Sequence, residues 1–166
     1  MSAIATGRCT HDQDAGTGAV TFLIGMTVNK PWRVDAWLPV FAAMPGMLAE
    51  LSRDPGSGLL GYRLVLGGRG PTVVQYWRSV EQLYAYASDP TSRHRPAWAA
   101  FNRRARRNPG AVGVWHETYP AAGAETVYVN TPGMGLAGAV GAVPVSGRLD
   151  RARDRLDASR RRGEAC

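Results

Sequence analysis

Apolar residues fill both alternations of the run AVTFLIGMTV, from Ala19 to Val28, the pattern of a strand covered on both faces. After Asn29-Lys30-Pro31 the period changes. Trp37, Val40, Phe41, Met44, Met47, Leu48 and Leu51 recur at spacings of three and four, which predicts a helix from about Val34 to Arg53 with one buried stripe. Pro45-Gly46 falls inside that stripe and is expected to kink or interrupt the helix. Asp54-Pro55-Gly56-Ser57-Gly58 ends it with turn chemistry, and Leu59 to Leu66 and Thr72 to Ser79 read as strands joined by the loop Gly67-Gly68-Arg69-Gly70-Pro71. Ser79 suits the N-cap of a short helix, Val80 to Ala87. A second helical piece runs from about Arg93 to Arg107, Asn108-Pro109-Gly110 stops it, and Ala111 to Tyr119 supplies a fourth strand.

That order of elements is the split βαβ arrangement, so the fold class is predicted as α+β, a ferredoxin-like βαββαβ domain over residues 19–145. Its helices cover one sheet face. An apolar second face needs another cover, and a second copy of the chain is the simplest, so a homodimer is expected. Residues 1–18 are small, polar and aperiodic, and are expected to be disordered. Thr126 to Asn130 reads as a short fifth strand and Gly133 to Val143 as a wrapping loop. Residues 146–166 form an Arg-rich tail whose only apolar anchors are Leu149 and Leu156, a frayed solvent helix by its pattern.

Length and composition narrow the class. A chain of 166 residues, 45% hydrophobic and 20% charged, fits one globular domain able to bury a core without metal or disulfide support. Cys9 and Cys166 are the two cysteines and give no zinc spacing. The longest apolar-looking run, Gly133 to Val145, is rich in glycine and shorter than the roughly 20 residues a bilayer crossing needs. With no hydrophobic leader in MSAIATGRCTHDQDAG, a cytoplasmic protein without a membrane partner is expected. The formal net charge is +7. Its basic clusters, Arg103 to Arg107 and Arg148 to Arg162, sit on no recognisable nucleic-acid motif and read as solvated surfaces, so no nucleic-acid partner is expected.

Candidate chemistry concentrates on one helix and two strands. Helical spacing puts His94, Trp98, Phe101 and Ala105 on one inward face. Pro96 suits the first turn there, placing His94 at the helix N-terminus, where unpaired N–H groups favour a neutral imidazole able to act as a base or to ligate a metal or haem iron. On the fourth strand, alternation sends His116 to the face of Val112 and Val114, and Glu117 to the face of Trp115 and Tyr119. Simple packing would also account for either histidine, and an ion pair with an arginine such as Arg78 would account for Glu117. Trp77 and Arg78 are further candidates on the third strand. GxSxG, GxxxxGK[ST] and HExxH are absent, so hydrolase, nucleotide-binding and zinc-protease chemistry fall away and no metal site is expected.

The segments LPVFAAMPGMLAEL, VQYWRSVEQLYAYASD, HRPAWAAFN and GVWHETY resemble a family of small bacterial and fungal monooxygenases that includes a fumagillin-pathway monooxygenase. That family belongs to the dimeric α/β-barrel superfamily, together with the antibiotic-biosynthesis monooxygenases. The likeness covers about residues 19–145. It implies a protomer whose sheet pairs with a symmetry mate, and a pocket between each sheet and its helices. It further implies a small oxygenase that works without a prosthetic group on an electron-rich or enolisable organic substrate. Such chemistry needs a base, a polar clamp for the anion and a dry aromatic cage. By type, His94 fits the base, His116 its alternate and Arg78 the clamp, while Trp77, Trp98, Phe101, Tyr119 and Glu117 would line the substrate. Two alternatives stay open: a haem enzyme related to aldoxime dehydratases, with a histidine on the iron, and a non-catalytic dimer that binds a small molecule.

Overall fold

A computed structural model describes residues 4–165. Seven strands and five helices follow in the order β1 (Ile4–His11), β2 (Val20–Val28), α1 (Val34–Arg53), β3 (Leu59–Gly67), β4 (Gly70–Trp77), α2 (Val80–Ser88), α3 (His94–Arg107), β5 (Val112–Pro120), β6 (Tyr128–Pro132), α4 (Gly135–Val140), β7 (Ala142–Pro144) and α5 (Ala152–Glu164). The main sheet is antiparallel in the order β3-β4-β2-β5. Strands β2 and β3 therefore run parallel with β4 between them, the split βαβ of a ferredoxin-like α+β domain. Each element between Val20 and Pro120 lies within two residues of its predicted bounds. Pro39 and Pro45 both sit inside α1 without ending it. Ser79 caps α2 by accepting from the Gln82 N–H at 3.3 Å.

Register decides which side chains share a face. Ile24 pairs with His116 and Val73, and Phe22 with Thr118 and Gln75, so these residues point toward the helices. Leu23, Val74, Tyr76, Trp115, Glu117 and Tyr119 point the other way. A Cβ at Gly25 would overlap the Trp115 indole, so the glycine is what lets that ring lie flat on the outer face. The hairpin from β3 to β4 closes on Gly70 at φ 152°, where a Cβ would strike the Met26 carbonyl. The helices meet the sheet in a core of Val20, Leu51, Trp77 and Leu83. The Trp77 Nε1–H donates to Gln75 Oε1 at 2.9 Å, which satisfies the one polar atom of a fully buried indole.

Both ends of the chain correct the sequence reading. Residues 4–11 are β1, the central strand of a second sheet in the order β6-β1-β7, rather than part of a disordered arm. The predicted fifth strand exists as β6, but it pairs with β1 instead of the main sheet. The expected wrapping loop contains α4 and β7, and α4 packs Leu136 and Val140 near Tyr76, Ala19 and Ala121. The Arg-rich tail is docked through α5. Buried Arg155 donates to Glu125 at 2.6 Å and to the carbonyls of Leu149 and Asp150 at 2.8 Å. Arg162 joins Asp14 and Gln13 across the same seam. Polar anchoring supplements the few apolar anchors of this segment, Leu149, Leu156 and the buried Ala158. Cys9 is a free thiol, and Cys166 lies outside the described residues. By length and composition alone α1 could cross a membrane; in this fold Ala36, Leu48 and Leu51 of α1 are buried.

His11, fully buried in β1, places Nδ1 2.8 Å from the Thr126 hydroxyl. Burial lowers its pKa from 6.5, only partly opposed by Asp12 and Glu125. The unfolded chain therefore takes up the proton first, so this histidine's contribution to stability is complete above pH 6.5 and declines as pH falls below it. Chemical denaturation followed by pH should show stability dropping below that point, with a smaller drop in His11→Gln. An unchanged pH profile in the variant would mean that His11 is not buried as described.

Candidate active site

Between the helix-facing side of the main sheet and the layer formed by α1, α2 and α3 lies a cavity of about 770 Å³, within the size range of small-molecule sites. Its floor is Phe22, Ile24 and Met26 of β2, Val73 of β4, and Val114, His116 and Thr118 of β5. Its roof is Val40, Phe41, Met44 and Met47 of α1 with His94, Trp98 and Phe101 of α3. Trp98 and Phe101 stack at 5.3 Å with an interplanar angle of 26°. Three residues apart on one helix, they meet because helical side chains at that spacing share a face. Half-exposed Trp98 and Phe41 mark where the cavity opens to solvent.

His94 is positioned by the tight junction between α2 and α3. Buried Ser92 donates through Oγ to the carbonyls of Asp89 and Tyr86 at 2.9 and 3.2 Å. The Asp89 carboxylate accepts from the Thr91 N–H and hydroxyl, and these bonds hold its pKa below the ordinary value. Arg93 ties the same turn to Glu50 of α1 at 3.3 Å. His94 Nδ1 then lies 3.2 Å from the Ala87 carbonyl oxygen. A carbonyl only accepts, so Nδ1 carries the hydrogen, and in the neutral ring Nε2 keeps its lone pair. Tyr86 backs the imidazole at 6.2 Å between ring centroids and touches Trp77 at 5.9 Å. Burial raises the Tyr86 phenol to about 12, so it stays protonated at neutral pH.

The sequence candidates separate into two groups. His94, His116, Trp98 and Phe101 share the cavity. His116 sits on the edge strand β5 and is exposed, with its ring 5.6 Å from Phe22. The other four candidates lie elsewhere. Trp77 is packed in the core and does not reach the cavity. Arg78 follows β4, exposed and off the lining, so it cannot clamp a ligand held there. Glu117 and Tyr119 occupy the outer sheet face, where the Tyr119 hydroxyl donates to Glu117 Oε2 at 2.7 Å. That bond raises the Tyr119 pKa, and it occupies Glu117 in place of the anticipated pairing with Arg78. Alternation had already separated Glu117 and Tyr119 from His116; it could not show which end of the sheet Trp77 fills.

Sequence reasoning missed Arg104, Arg53, Tyr62 and Tyr84, all of which line the cavity. For Arg104 a signal existed, because it lies three residues past Phe101 on the stripe of His94, Trp98 and Phe101. Its membership of a basic cluster masked that. Among the described residues no group of three or more His, Cys, Asp or Glu could hold a metal ion.

A ferredoxin-like domain with an apolar cavity, an aromatic wall and an imidazole on its lining defines an α+β class with a hollow between sheet and helices. Within that class, residues 19–136 match the family Monooxygenase af470-like, and the chain belongs to it. It is 29% identical over 134 residues to Monooxygenase af470 of Aspergillus fumigatus, a match covering 73% of this chain. The chain spans only 46% of that relative's length. Among solved structures it is similar to SnoaB, a cofactor-independent oxygenase from Streptomyces nogalater, at 15% identity and a TM-score of 0.44, over 61% of this chain and 91% of that one. It is also similar to a dimeric protein of unknown function and ferredoxin-like fold from Bacteroides fragilis, at 13% identity and a TM-score of 0.41, over 61% and 97%.

If the cavity is continuous beside His94, filling it should abolish ligand uptake without unfolding the domain. Ala97→Phe places a ring in that space. Nile red, an uncharged dye that brightens in apolar pockets, should titrate the unaltered protein saturably and the variant not at all. The variant should stay folded and lose no more than about 1–3 kcal/mol of stability. Undiminished dye binding would show that the dye occupies another surface.

Proposed function

We propose that the chain is a small oxygenase that acts without a prosthetic group on an electron-rich or enolisable organic substrate, with His94 as the base. The observation that carries this reading is the bond from His94 Nδ1–H to the Ala87 carbonyl, which leaves Nε2 as the basic atom of a ring that lines an apolar cavity. Membership of a monooxygenase family supports it.

The chemistry balances with dioxygen as the only co-reactant. Nε2 takes a proton from an activated CH₂ of the substrate and leaves a carbanion delocalised over its rings or carbonyl. That anion passes one electron to dioxygen, and the resulting radical and superoxide combine to a peroxide anion. His94 returns the proton, and the hydroperoxide loses water to leave a C=O where the CH₂ stood. One dioxygen is consumed and one water released. Trp98, Phe101 and Phe41 give the anion an apolar, aromatic surround on the cavity that His94 also lines. His116, on the opposite wall, is the alternate proton carrier.

The working unit is proposed to be a homodimer joined through the outer sheet face. Val65, Trp115 and Tyr119 are each more than a third exposed there, and an apolar sheet face of that kind marks an interface.

Oxygen uptake against a panel of phenols and enolisable aromatic ketones tests the catalytic reading. His94→Gln should lower kcat about 100-fold or more on any substrate that turns over, while His116→Gln has a smaller effect and neither shifts Tm by more than a few degrees. Added haem should give no Soret shift that depends on His94; such a shift would favour a haem enzyme instead. Absence of uptake across the panel, or full activity in His94→Gln, sinks the proposal. In sedimentation equilibrium the parent chain should behave as a dimer and Val74→Asp as a monomer. A monomeric parent would remove the interface.

A further inference from the structure

Charge around the cavity has one sign. Among the described residues no Asp or Glu lines it, and the arginines that do are Arg53 and Arg104. The ion pairs of the described residues engage Arg8, Arg33, Arg93, Arg153, Arg155 and Arg162, and the side chain of Arg104 takes part in none of them, nor in any hydrogen bond among the described residues. Yet Arg104 is half-buried on the cavity wall, one turn past Phe101. Its guanidinium N–H donors make no protein hydrogen bond among the described residues and stand at the edge of an apolar wall, open to an incoming anion. A planar guanidinium matches a carboxylate with two parallel hydrogen bonds. Helix α3 adds a field of the same sign, since it holds Arg95, Arg103, Arg104, Arg106 and Arg107 and no acidic residue, which draws anions toward the opening.

Spacing sets the shape of the ligand. His94 and Arg104 are ten residues apart on one helix, about 15 Å along its axis at the α-helical rise, with Trp98 and Phe101 between them on the lining. We infer that the cavity takes an elongated, largely planar carboxylic acid, its carboxylate on Arg104 and its far end beside His94. The orientation deepens the reading of His94 as base and rests on it; the preference for an acid does not. Arg104 is a specificity-determining residue in this assignment, not a proton carrier.

Binding separates the two. Anthracene-2-carboxylate and its methyl ester differ in charge and little in shape, and both are fluorescent. At pH 7.5 the unaltered full chain should bind the acid about tenfold or more tightly than the ester, and added salt should weaken the acid alone. Arg104→Gln should bring the two affinities within about twofold by weakening the acid while the ester is unchanged, and Arg104→Lys should fall between, since it keeps the charge and loses the fork. Arg103→Gln, exposed on the solvent side of α3, should leave the preference intact. Equal binding of acid and ester by the parent, binding of neither, a preference that survives Arg104→Gln, or one abolished instead by Arg53→Gln would each overturn the inference. These are equilibrium readings, so they stand or fall independently of any oxygen uptake.

Discussion

The arrangement depends on where the interior is solid. Trp77, Leu51, Leu83 and Val20 fill the space between sheet and helices at one end, and the indole is held there by its bond to Gln75. At the far end, Ala36 and Ala111 are fully buried and Arg33 reaches Asn108, joining the start of α1 to the stop of α3. Between these supports the roof lies over the middle of the sheet without filling the gap. A hollow persists because rigid helices resting on two ends cannot sag into the space between, and close-packed supports do not yield.

Polarity inside that hollow is sparse and therefore directional. An imidazole whose Nδ1–H is committed to a backbone carbonyl has one remaining way to act, through Nε2. The surrounding shell is built for this orientation. Ser92 and Asp89 brace the turn before α3, Tyr86 stands behind the ring, and Arg93 locks the turn to α1. None of these residues needs to touch a ligand to govern what His94 can do.

Much of this was legible in the residues. Period changes located every element from Val20 to Pro120, because the strands and helices there carry apolar faces strong enough to show without long-range context. Alternation alone placed His116 on one face of β5 and Glu117 and Tyr119 on the other, as the register bears out. What escaped was set by distant partners. β1 has no apolar period, and it exists because β6 and β7, more than a hundred residues away, supply its hydrogen bonds. In α5, Arg155 is buried because Glu125 meets it, and a buried ion pair leaves no trace in hydropathy. Trp77 and Arg78 have the right chemistry in the wrong layer, and Arg104 was concealed among neighbours that do face water.

The second sheet has a consequence for how the molecule is made. β1 precedes the ferredoxin-like unit in the chain, yet both strands that flank it follow that unit, and Gln13 and Asp14 wait for Arg155 and Arg162. On a ribosome delivering residues in order, the ferredoxin-like unit can close while the amino-terminal strand still hangs free with its backbone donors unmet. The second sheet thus closes only after the ferredoxin-like unit between its strands has been made, by pairing segments that lie on either side of that unit in the chain.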